Sequence, residues 1–257
     1  MPNKPLFSII TIVFNAVNSV EKTIDSVLSQ TYNNYEYIII DGKSTDGTLE
    51  ILNNFKDKFS TFISEPDNGV YDAMNKGIGH ANGEYVFFLN AGDLLYDSKV
   101  LENIASIIQS KNPDVIYGDT VLTDQSGMEK SFRRLRPPKR LNWKKLKYGM
   151  LICHQSFFVK TSIAEGYNLN YRFVADYDWM IRVLKHSRKN INSHIVISKF
   201  LEGGLSQSKR LQSLKERFNV MKKHYGLSTT LTVHFFFIFR YLYSYIYQLL
   251  KKPYSSQ

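Results

Sequence analysis

The chain of 257 residues contains a single cysteine, Cys153, and no long apolar segment at its N-terminus. One thiol excludes an intramolecular disulfide and a cysteine-based zinc site, and it fits a reducing compartment. The first apolar run, Phe7–Phe14, is too short for a secretory signal peptide and lacks a small-residue cleavage site. Internal repeats and low-complexity segments are also absent. These absences favour a cytoplasmic protein that is held together by its hydrophobic core.

Composition narrows the class of protein and of partner. An apolar fraction of 43% and the chain length suit one large α/β domain, or a domain and a half. The net charge of +10 implies a polyanionic partner, which is a nucleic acid, an anionic membrane or a phosphorylated substrate.

The densest positive charge lies between residues 133 and 147, where no acidic residue interrupts it. Pro137 and Pro138 prevent a helix at the centre of this stretch. A nucleic-acid role would require interleaved aromatic residues, and only Trp143 and Tyr148 are near, so no nucleic-acid partner is predicted. The stretch is either a solvated loop or a rim that meets lipid phosphates or a phosphorylated acceptor, at about 1 kcal/mol per basic residue near an anionic bilayer. Its basic residues are Arg133, Arg134, Arg136, Lys139, Arg140, Lys144, Lys145 and Lys147.

A continuous apolar run, Tyr85–Leu89, stops abruptly at the turn Asn90-Ala91-Gly92-Asp93. A run that is apolar on both faces is typical of a strand buried in a parallel sheet. In open α/β sheets, ligands bind where the carboxyl ends of the strands emerge. A carboxylate in such a turn holds a divalent metal against a diphosphate, or alternatively caps a helix.

Two other apolar runs end in the same way. Tyr37–Ile40 leads to Asp41, and Phe7–Val13 leads to Phe14 and Asn15. The loop after Asp41 carries further polar residues before a helical pattern begins. Three buried strands that deliver polar groups to one edge predict a nucleotide-sugar site.

Four segments in this order, SIITIVFNA, DGKSTDGT, NGVYDAMNKGI and GEYVFFLNAGD, resemble the family-two glycosyltransferases of the GT-A fold. The resemblance covers roughly residues 5 to 205. It implies an α/β fold whose mostly parallel, Rossmann-like central sheet is flanked by helices. The expected domain spans 1–206, with a nucleotide-sugar-binding half at 1–118 and an acceptor half at 119–206. A helical tail at 207–257 follows.

Local patterns predict further elements. Thr61–Ser64 is predicted to be a short strand, and Val70–Gly79 a helix with Tyr71 on its apolar face. Leu95–Ser110 is predicted to be a helix, Thr120–Phe132 a β-hairpin and Leu201–Ser206 a glycine turn.

The resemblance also implies donor contacts. Asp41 is expected to bind the imide of uracil, and Thr11 and Phe14 to contact the base, although core packing is the alternative for Phe14. Asp46 is expected near the ribose, or as a cap of the following helix, or in both roles. The remaining expected donor contacts are Asn15, Ser44, Asn68, Gly69, Asn75, Lys76, Asn90, Ala91 and Gly92.

The chain departs from the family pattern at three places. Gly42 replaces the second of two consecutive acids. Met74 replaces an arginine, so Lys76 is expected to supply the positive charge, with a solvated helix residue as the alternative. The Asp-any-Asp metal motif is thinned, which leaves Asp93 as the ligand of Mn²⁺ or Mg²⁺ and Asn90 as a further oxygen ligand or ribose contact. One carboxylate is sufficient in principle when a diphosphate supplies other ligands.

The segment VADYDWMIR, Val174–Arg182, resembles the family's acidic pair followed by a helix. This resemblance places the general base at Asp176, for which an N-terminal helix cap is the alternative. Asp178 and Trp179 are assigned to the acceptor or donor pocket, and core filling is the alternative for Trp179.

His154 and Gln155 are assigned to the same pocket. They lie in Met150–Val159, which the pattern predicts to be a strand. A structural role is the alternative for His154, whose ordinary pKa allows either.

The tail segment Leu231–Leu250 has one full charge in twenty residues. At helical spacing its polar residues form one narrow stripe, which favours a helix lying in a membrane interface. Lys251 and Lys252 favour the cytoplasmic face. A helix packed on the domain, a dimer contact and a single span are the alternatives. The stripe consists of Arg240, Ser244, Gln248 and Lys251.

Together, the resemblance and the tail imply a peripheral bacterial enzyme at the cytoplasmic face of the inner membrane. It would move one sugar, with inversion, from a nucleotide-sugar to a polyprenyl-diphosphate-linked saccharide during surface glycan synthesis. Two alternatives stay open. One is a glycosyltransferase with a soluble or protein acceptor, whose tail dimerises. The other is a catalytically silent nucleotide-sugar-binding scaffold, which the thinned metal motif favours.

Overall fold

The computed structural model describes residues 4–124, 127–201 and 210–250, with side chains up to residue 239. Its strands are β1 Phe7–Val13, β2 Tyr35–Asp41, β3 Thr61–Ser64, β4 Tyr85–Phe88, β5 Leu94–Leu95, β6 Val115–Thr123, β7 Glu129–Phe132, β8 Phe157–Lys160 and β9 Asn190–Leu201. Its α-helices are α1 Val20–Leu28, α2 Thr48–Asn54, α3 Val70–Gly79, α4 Val100–Lys111, α5 Ala175–His186, α6 Arg210–Tyr225 and α7 Leu227–Leu250. Short 3-10 helices lie at Lys56–Lys58, Trp143–Tyr148, His154–Ser156 and Thr161–Ile163.

One sheet has the order β3-β2-β1-β4-β8-β6-β9-β5, and β7 pairs with β6. The four strands from β3 to β4 are parallel, as predicted. Beyond them the sheet is mixed, because β8 runs antiparallel to β4 and β6 while β9 runs parallel to β6. The chain leaves β1 towards β2 and β3 and later returns to β4 on the other side of β1. Such a reversal opens a crevice at the carboxyl ends of β1 and β4.

Apolar side chains on both faces of the sheet explain the continuous apolar runs. In β1, Ile10 and Ile12 join the core on one side, together with α3 and α5. Phe7, Ile9 and Val13 join the core on the other side, together with α1 and α4. Each strand is therefore fixed from two directions, and the turns at its carboxyl end are held in place.

Most predicted elements are confirmed, and one is wrong. The strand Thr61–Ser64 and the helix Val70–Gly79 have the predicted bounds. The predicted strand Met150–Val159 is instead an irregular segment, the 3-10 helix at His154–Ser156 and a strand that begins at Phe157. The hydroxyl of Ser156 lies 2.7 Å from Oγ1 of Thr120, and this buried polar contact interrupts the apolar pattern.

Other boundaries move by a few residues. The helix predicted from Leu95 begins at Val100, because Leu94 and Leu95 pair with β9. The predicted hairpin is confirmed by the pairing of β6 with β7, although part of its turn lies outside the described residues. The predicted boundary at 118/119 falls inside β6. The glycine turn predicted for Leu201–Ser206 lies outside the described residues, apart from Leu201.

The two tail helices pack on the domain near the point where they meet, through the C-terminal half of α6 and the N-terminal half of α7. Tyr225 of α6 stacks on Trp143 at a ring distance of 5.5 Å, and its hydroxyl donates to the Trp143 carbonyl oxygen. Among the described residues, no helix combines the length and the apolar composition that crossing a membrane requires. The polar stripe predicted on α7 lies beyond the described side chains.

Candidate active site

The end of β1 presents one exposed ring and one fixed amide. The side chain of Phe14 is 63% exposed, so the core-packing alternative is wrong. Asn15 has a φ of 47°, a left-handed conformation that asparagine tolerates better than most residues. Its N–H donates to Ser44 Oγ at 2.9 Å, and its Oδ1 accepts from the Thr45 N–H at 2.9 Å. The loops after β1 and β2 therefore form one surface.

Asp41 lies beneath that surface. Its side chain is fully buried. The hydroxyl of Ser44 donates to Oδ1 at 2.5 Å, and the hydroxyl of Ser64 donates to Oδ2 at 2.6 Å. Both oxygens are thus engaged within the protein, and Asp41 fixes the loop on which Ser44 lies.

Asp46 ties the start of α2 to the loop after β1. Its carboxylate accepts from the N–H groups of Val17 and Thr48, each at 3.1 Å, and from the Thr48 hydroxyl at 2.5 Å. Hydrogen bonding, above all from Thr48, holds the pKa of Asp46 below its ordinary value. Asp46 therefore fixes the start of the helix, as its alternative role predicted, although Gly47 occupies the N-cap position. A ribose contact stays a prediction.

Two predicted donor contacts are not brought to the site. Thr11 is fully buried, and its hydroxyl lies 3.1 Å from the hydroxyl of Tyr37. Asn75 is bound on both sides of its amide by the backbone of Tyr167, at 3.0 and 2.6 Å. These side chains hold the interior together.

The loop between β3 and α3 carries the other predicted contacts. Lys76 pairs with Glu65 at 2.7 Å and donates to the Pro66 carbonyl oxygen at 2.9 Å. This pairing raises the pKa of Lys76, so its charge is held on the loop. Asn68 and Gly69 are exposed at the start of α3. Met74, which stands at the family's arginine position, is buried in the core.

The turn after β4 contains Asn90, Ala91, Gly92 and Asp93. Asp93 is 5% exposed, and its carboxylate accepts from Gln155 Nε2 at 2.7 Å and from the Leu201 N–H at 3.2 Å. Burial raises the pKa of Asp93 to about 6, against the opposing effects of Gln155 and His154. Gly92 has a φ of 101°, which favours glycine, and its N–H donates to Thr23.

These residues fit a metal that is held by few protein ligands. Oδ1 of Asn90 is buried and has no hydrogen-bond partner among the described residues. Each oxygen of Asp93 accepts one hydrogen bond, which leaves a lone pair on each. In the described part of the chain, no three His, Cys, Asp or Glu side chains are grouped to hold a metal by themselves. Most ligands would therefore have to come from the diphosphate and water.

Asp176 lies at the first turn of α5, between His154 and Tyr71. Its side chain is 17% exposed, and its Oδ2 lies 3.6 Å from His154 Nδ1. Its Oδ1 accepts from the Tyr71 hydroxyl at 3.2 Å and from the Tyr177 N–H at 2.9 Å. Burial raises the pKa of Asp176, but His154 and the Tyr177 N–H together bring it below its ordinary value. The carboxylate is therefore ionised at neutral pH.

His154 connects this carboxylate to the turn after β4. Its Nε2 lies 3.3 Å from Nδ2 of Asn90, while its Nδ1 faces Asp176. A single imidazole thus spans the gap between the turn after β4 and α5. The Val174 backbone, rather than Asp176, occupies the N-cap position of α5.

Asp178 and Trp179 are placed away from the pocket to which the sequence assigned them. Asp178 is fully buried and binds Arg182 Nε at 2.8 Å and His224 Nε2 at 2.8 Å. Burial raises the pKa of Asp178, but His224 and Arg182 lower it to about 2. Trp179 is in the core, stacked on Tyr167 at 4.9 Å.

Sequence reasoning missed two residues that position Asp176. The sequence pattern assigned Tyr71 to the apolar face of α3. Nothing in that pattern indicates that its hydroxyl donates to Asp176. Glu216 of α6 accepts from the N–H groups of Arg172 and Phe173, at 3.0 and 2.8 Å, just before α5. Glu216 lies in a helix with many polar residues, where its sequence context gives no signal.

The sheet reversal and the polar turns at the carboxyl ends of the strands are features of a GT-A-type α/β fold. The sequence profile described as "Glycosyl transferase family 2" matches residues 8–166. The chain belongs to this family, and it is a glycosyltransferase.

Individual proteins agree with this assignment. The chain is 33% identical to a "PGL/p-HBAD biosynthesis glycosyltransferase" of Mycobacterium tuberculosis, in an alignment of 213 residues that covers 79% of this chain and 80% of that protein. The fold matches S. aureus TarS 1-349 with a TM-score of 0.68 at 16% identity, over 90% of this chain and 72% of that chain. It matches the mannosyltransferase PcManGT of Pyrobaculum calidifontis, solved with GDP-Man and Mn2+, with a TM-score of 0.63 at 15% identity, over 86% and 64%.

Proposed function

We propose that this glycosyltransferase moves one sugar, with inversion, from a UDP-sugar to a hydroxyl of a lipid-linked saccharide, with Asp176 as general base. The position of Asp176 carries the proposal. It is an ionised carboxylate beside the crevice, and the imidazole of His154 separates it from Asn90 in the turn after β4. A general base must be deprotonated and within reach of the hydroxyl that it activates.

In the proposed reaction, Asp176 accepts the proton of the acceptor hydroxyl as that oxygen attacks the anomeric carbon. The new carbon–oxygen bond forms while the bond from the anomeric carbon to the diphosphate oxygen breaks on the opposite face. The nucleoside diphosphate leaves with the bonding electron pair. One carboxylate suffices, because no covalent sugar intermediate forms. Tyr71 and the Tyr177 N–H hold Asp176 in place during this transfer.

The donor is proposed to lie along the loops after β1, β2 and β4. The exposed Phe14 offers a face for the base, and Asn15, Ser44 and the Asp46 loop form the adjoining surface. A structure of the similar protein TarS was solved in complex with UDP-GlcNAc, which supports a nucleotide-sugar donor here.

Asn90 and Asp93 are proposed to hold Mn²⁺ or Mg²⁺. When bound, such an ion supplies positive charge that stabilises the leaving diphosphate. Two observations support this assignment. Oδ1 of Asn90 is buried without a hydrogen-bond partner among the described residues, and burial raises the pKa of Asp93 to about 6, so its negative charge is only partly stabilised by its neighbours. The similar fold of PcManGT, which was solved with Mn2+, supports it as well.

The acceptor is proposed to be a polyprenyl-diphosphate-linked saccharide at the cytoplasmic face of the inner membrane. The exposed stripe on α7, formed by Leu231, Phe235, Ile238 and Phe239, supports this location. Each of these side chains is more than half exposed. The basic 3-10 helix Trp143–Tyr148 lies beside the same tail helices and adds positive charge. Such a combination of apolar and basic groups suits peripheral binding to an anionic bilayer.

Two measurements test the proposal without knowledge of the acceptor. The first is a thermal-shift panel of UDP-, dTDP- and GDP-sugars with and without Mn²⁺, in which a ligand at a hundred times its Kd adds about 2.7 kcal/mol of stability. The second is the slow hydrolysis of the stabilising donor, followed by NMR. We expect the first sugar anomer released to have the configuration opposite to that of the donor.

Retention of configuration would contradict the inverting mechanism. Absence of stabilisation by every nucleotide-sugar would instead favour the silent scaffold. If transfer occurs with a water-soluble saccharide as efficiently as with a lipid-linked one, the soluble-acceptor alternative is correct.

A further inference from the structure

The carboxylate that the resemblance assigns to the donor base is not free to bind it. Asp41 is fully buried, and each of its oxygens accepts two hydrogen bonds: one from the hydroxyl of Ser44 or Ser64, and one from the Ser44 N–H, at 3.3 and 3.2 Å. A base that reached Asp41 would have to displace these short hydrogen bonds. The site therefore needs another acceptor at this edge if it is to recognise an N–H group of a base.

Asp67 occupies the space that an acidic side chain at position 42 would fill. A Cβ built on Gly42 would overlap Oδ2 of Asp67 and would lie 3.2 Å from Cδ2 of Phe14. The carboxylate thus lies against the bare backbone of Gly42, beside the exposed ring that the donor base is proposed to contact. The glycine that departs from the family pattern is what makes room for it.

The loop that carries Asp67 is fixed from three sides. The N–H of Glu65 donates to the Asp41 carbonyl oxygen at 3.0 Å, and the Glu65 carboxylate pairs with Lys76 at 2.7 Å. Oδ1 of Asp67 accepts from the Gly69 N–H at 2.8 Å. Oδ2 accepts no hydrogen bond in the part of the chain that the structure describes. Asp67 is only half-buried, so this oxygen is available to a ligand.

We infer that Asp67, and not Asp41, is the carboxylate that accepts the ring N–H of the donor base, which stacks on Phe14. This inference rests on the proposed function, because it concerns the same donor site. An ionised carboxylate only accepts hydrogen bonds. It therefore favours bases whose ring carries an N–H, which are uracil and thymine at N3 and guanine at N1, and disfavours cytosine, whose N3 is itself an acceptor.

The test compares the binding of UDP, CDP and N3-methyl-UDP to the full chain by calorimetry. The wild type is expected to bind UDP at least about tenfold more tightly than the other two, which matches the loss of one charge-assisted hydrogen bond. Asp67→Ala is expected to weaken UDP by the same factor and to leave N3-methyl-UDP unchanged. Asp57→Ala is the matched control. Asp57 is an exposed acid that precedes the amino end of β3, whereas Asp67 follows its carboxyl end.

A double variant tests whether the position of the carboxylate matters. Gly42→Asp alone is expected to weaken UDP, because the new side chain collides with Asp67. Gly42→Asp combined with Asp67→Gly moves the carboxylate to the neighbouring backbone and is expected to recover UDP binding relative to Asp67→Gly.

Three results separate the outcomes. Equal weakening of UDP and N3-methyl-UDP by Asp67→Ala would overturn the inference while the donor site stood. Unchanged UDP binding in Asp67→Ala would overturn it as well. If the wild type binds none of the three nucleotides, the proposed uridine donor fails, and the inference fails with it.

Discussion

Two buried aspartates, Asp93 after β4 and Asp178 on α5, have pKa values that are shifted in opposite directions. Asp93 is 5% exposed, and Asp178 is fully buried. Asp93 is bound by the neutral groups of Gln155 and Leu201, and its pKa is raised to about 6. Asp178 is bound by Arg182 and His224, and its pKa is lowered to about 2.

The difference lies in the charge of the partners. Neutral donors offset only part of the cost of burying a carboxylate, whereas cations in direct contact exceed it. Asp93 is therefore a carboxylate to which a metal cation would bind favourably, at the edge where a diphosphate is proposed to lie. Asp178 already has cationic partners in Arg182 and Lys223, and its hydrogen bond to His224 joins α5 to the tail helix α6. The region of Asp93 is proposed to bind a ligand, whereas the region of Asp178 stabilises the fold.

The largest expected effect is on Asp178. Asp178→Asn leaves Arg182 without its buried counter-charge and weakens the hydrogen bond to His224, and we expect it to lower the free energy of unfolding by about 3–5 kcal/mol. The measurement is urea unfolding at pH 7. Because the folded pKa lies below the unfolded value of 3.8, the stability from Asp178 is present above pH 4 and is lost as pH falls towards 2. Asp57→Asn, the matched surface change, should alter the free energy by less than about 0.5 kcal/mol.

Asp93→Asn should change the free energy of unfolding in the opposite direction, towards higher stability. The folded pKa of about 6 lies above 3.8, so the folded state binds more protons between these values and loses stability as pH rises through them. In the presence of EDTA we expect Asp93→Asn to stabilise the protein by about 1–3 kcal/mol at pH 7.5 and to have little effect near pH 3.5. Destabilisation at pH 7.5 would remove the contrast between the two aspartates.

The tail offers a third, smaller test, since α6 holds Asp178 and leads into the exposed stripe of α7. Phe235→Ser combined with Phe239→Ser should weaken sedimentation with anionic vesicles roughly tenfold, because apolar area is lost from the membrane contact. Unfolding should change little, because both rings are exposed. Met128→Ser, at an exposed apolar position beside β7, is the control. If the double change leaves vesicle binding intact but makes a dimer monomeric, the stripe is a dimer contact.

The smallest effect is expected at Tyr71. Tyr71→Phe removes one hydrogen bond of 3.2 Å to Asp176 and should slow donor hydrolysis only a few-fold, in line with about 0.5–1.5 kcal/mol per bond. UDP binding should not change. If Tyr71→Phe slowed hydrolysis as much as a substitution of Asp176 does, the tyrosine hydroxyl would take part in proton transfer.

The parts of the fold that the sequence predicted are those with a local cause. The runs in β1, β2 and β4 are apolar on both faces because helices cover both sides of the sheet. Gly69 and the polar residues around it mark the start of α3, whose bounds were predicted correctly. The strand predicted at 150–159 failed because Ser156 and Gln155 bind distant residues, and no spacing within the segment shows this.

The candidate site was predicted unevenly for the same reason. The edge residues Asn15 and Asn90 follow from where β1 and β4 end, whereas Asp46 was assigned from the family resemblance. The environment of Asp178 depends on His224, which is 46 residues away on another helix. The place of Asp67 depends on Gly42 across a loop, and only the folded chain brings the two together.

The most direct test of the central claim is donor hydrolysis and UDP binding, measured side by side on wild type and Asp176→Asn. The substitution keeps the size of the side chain but removes the base. We expect hydrolysis to fall by roughly a hundredfold or more while the Kd for UDP stays within about twofold. Unchanged hydrolysis, or a loss matched by an equal loss of UDP binding, would contradict the assignment of Asp176 as the general base.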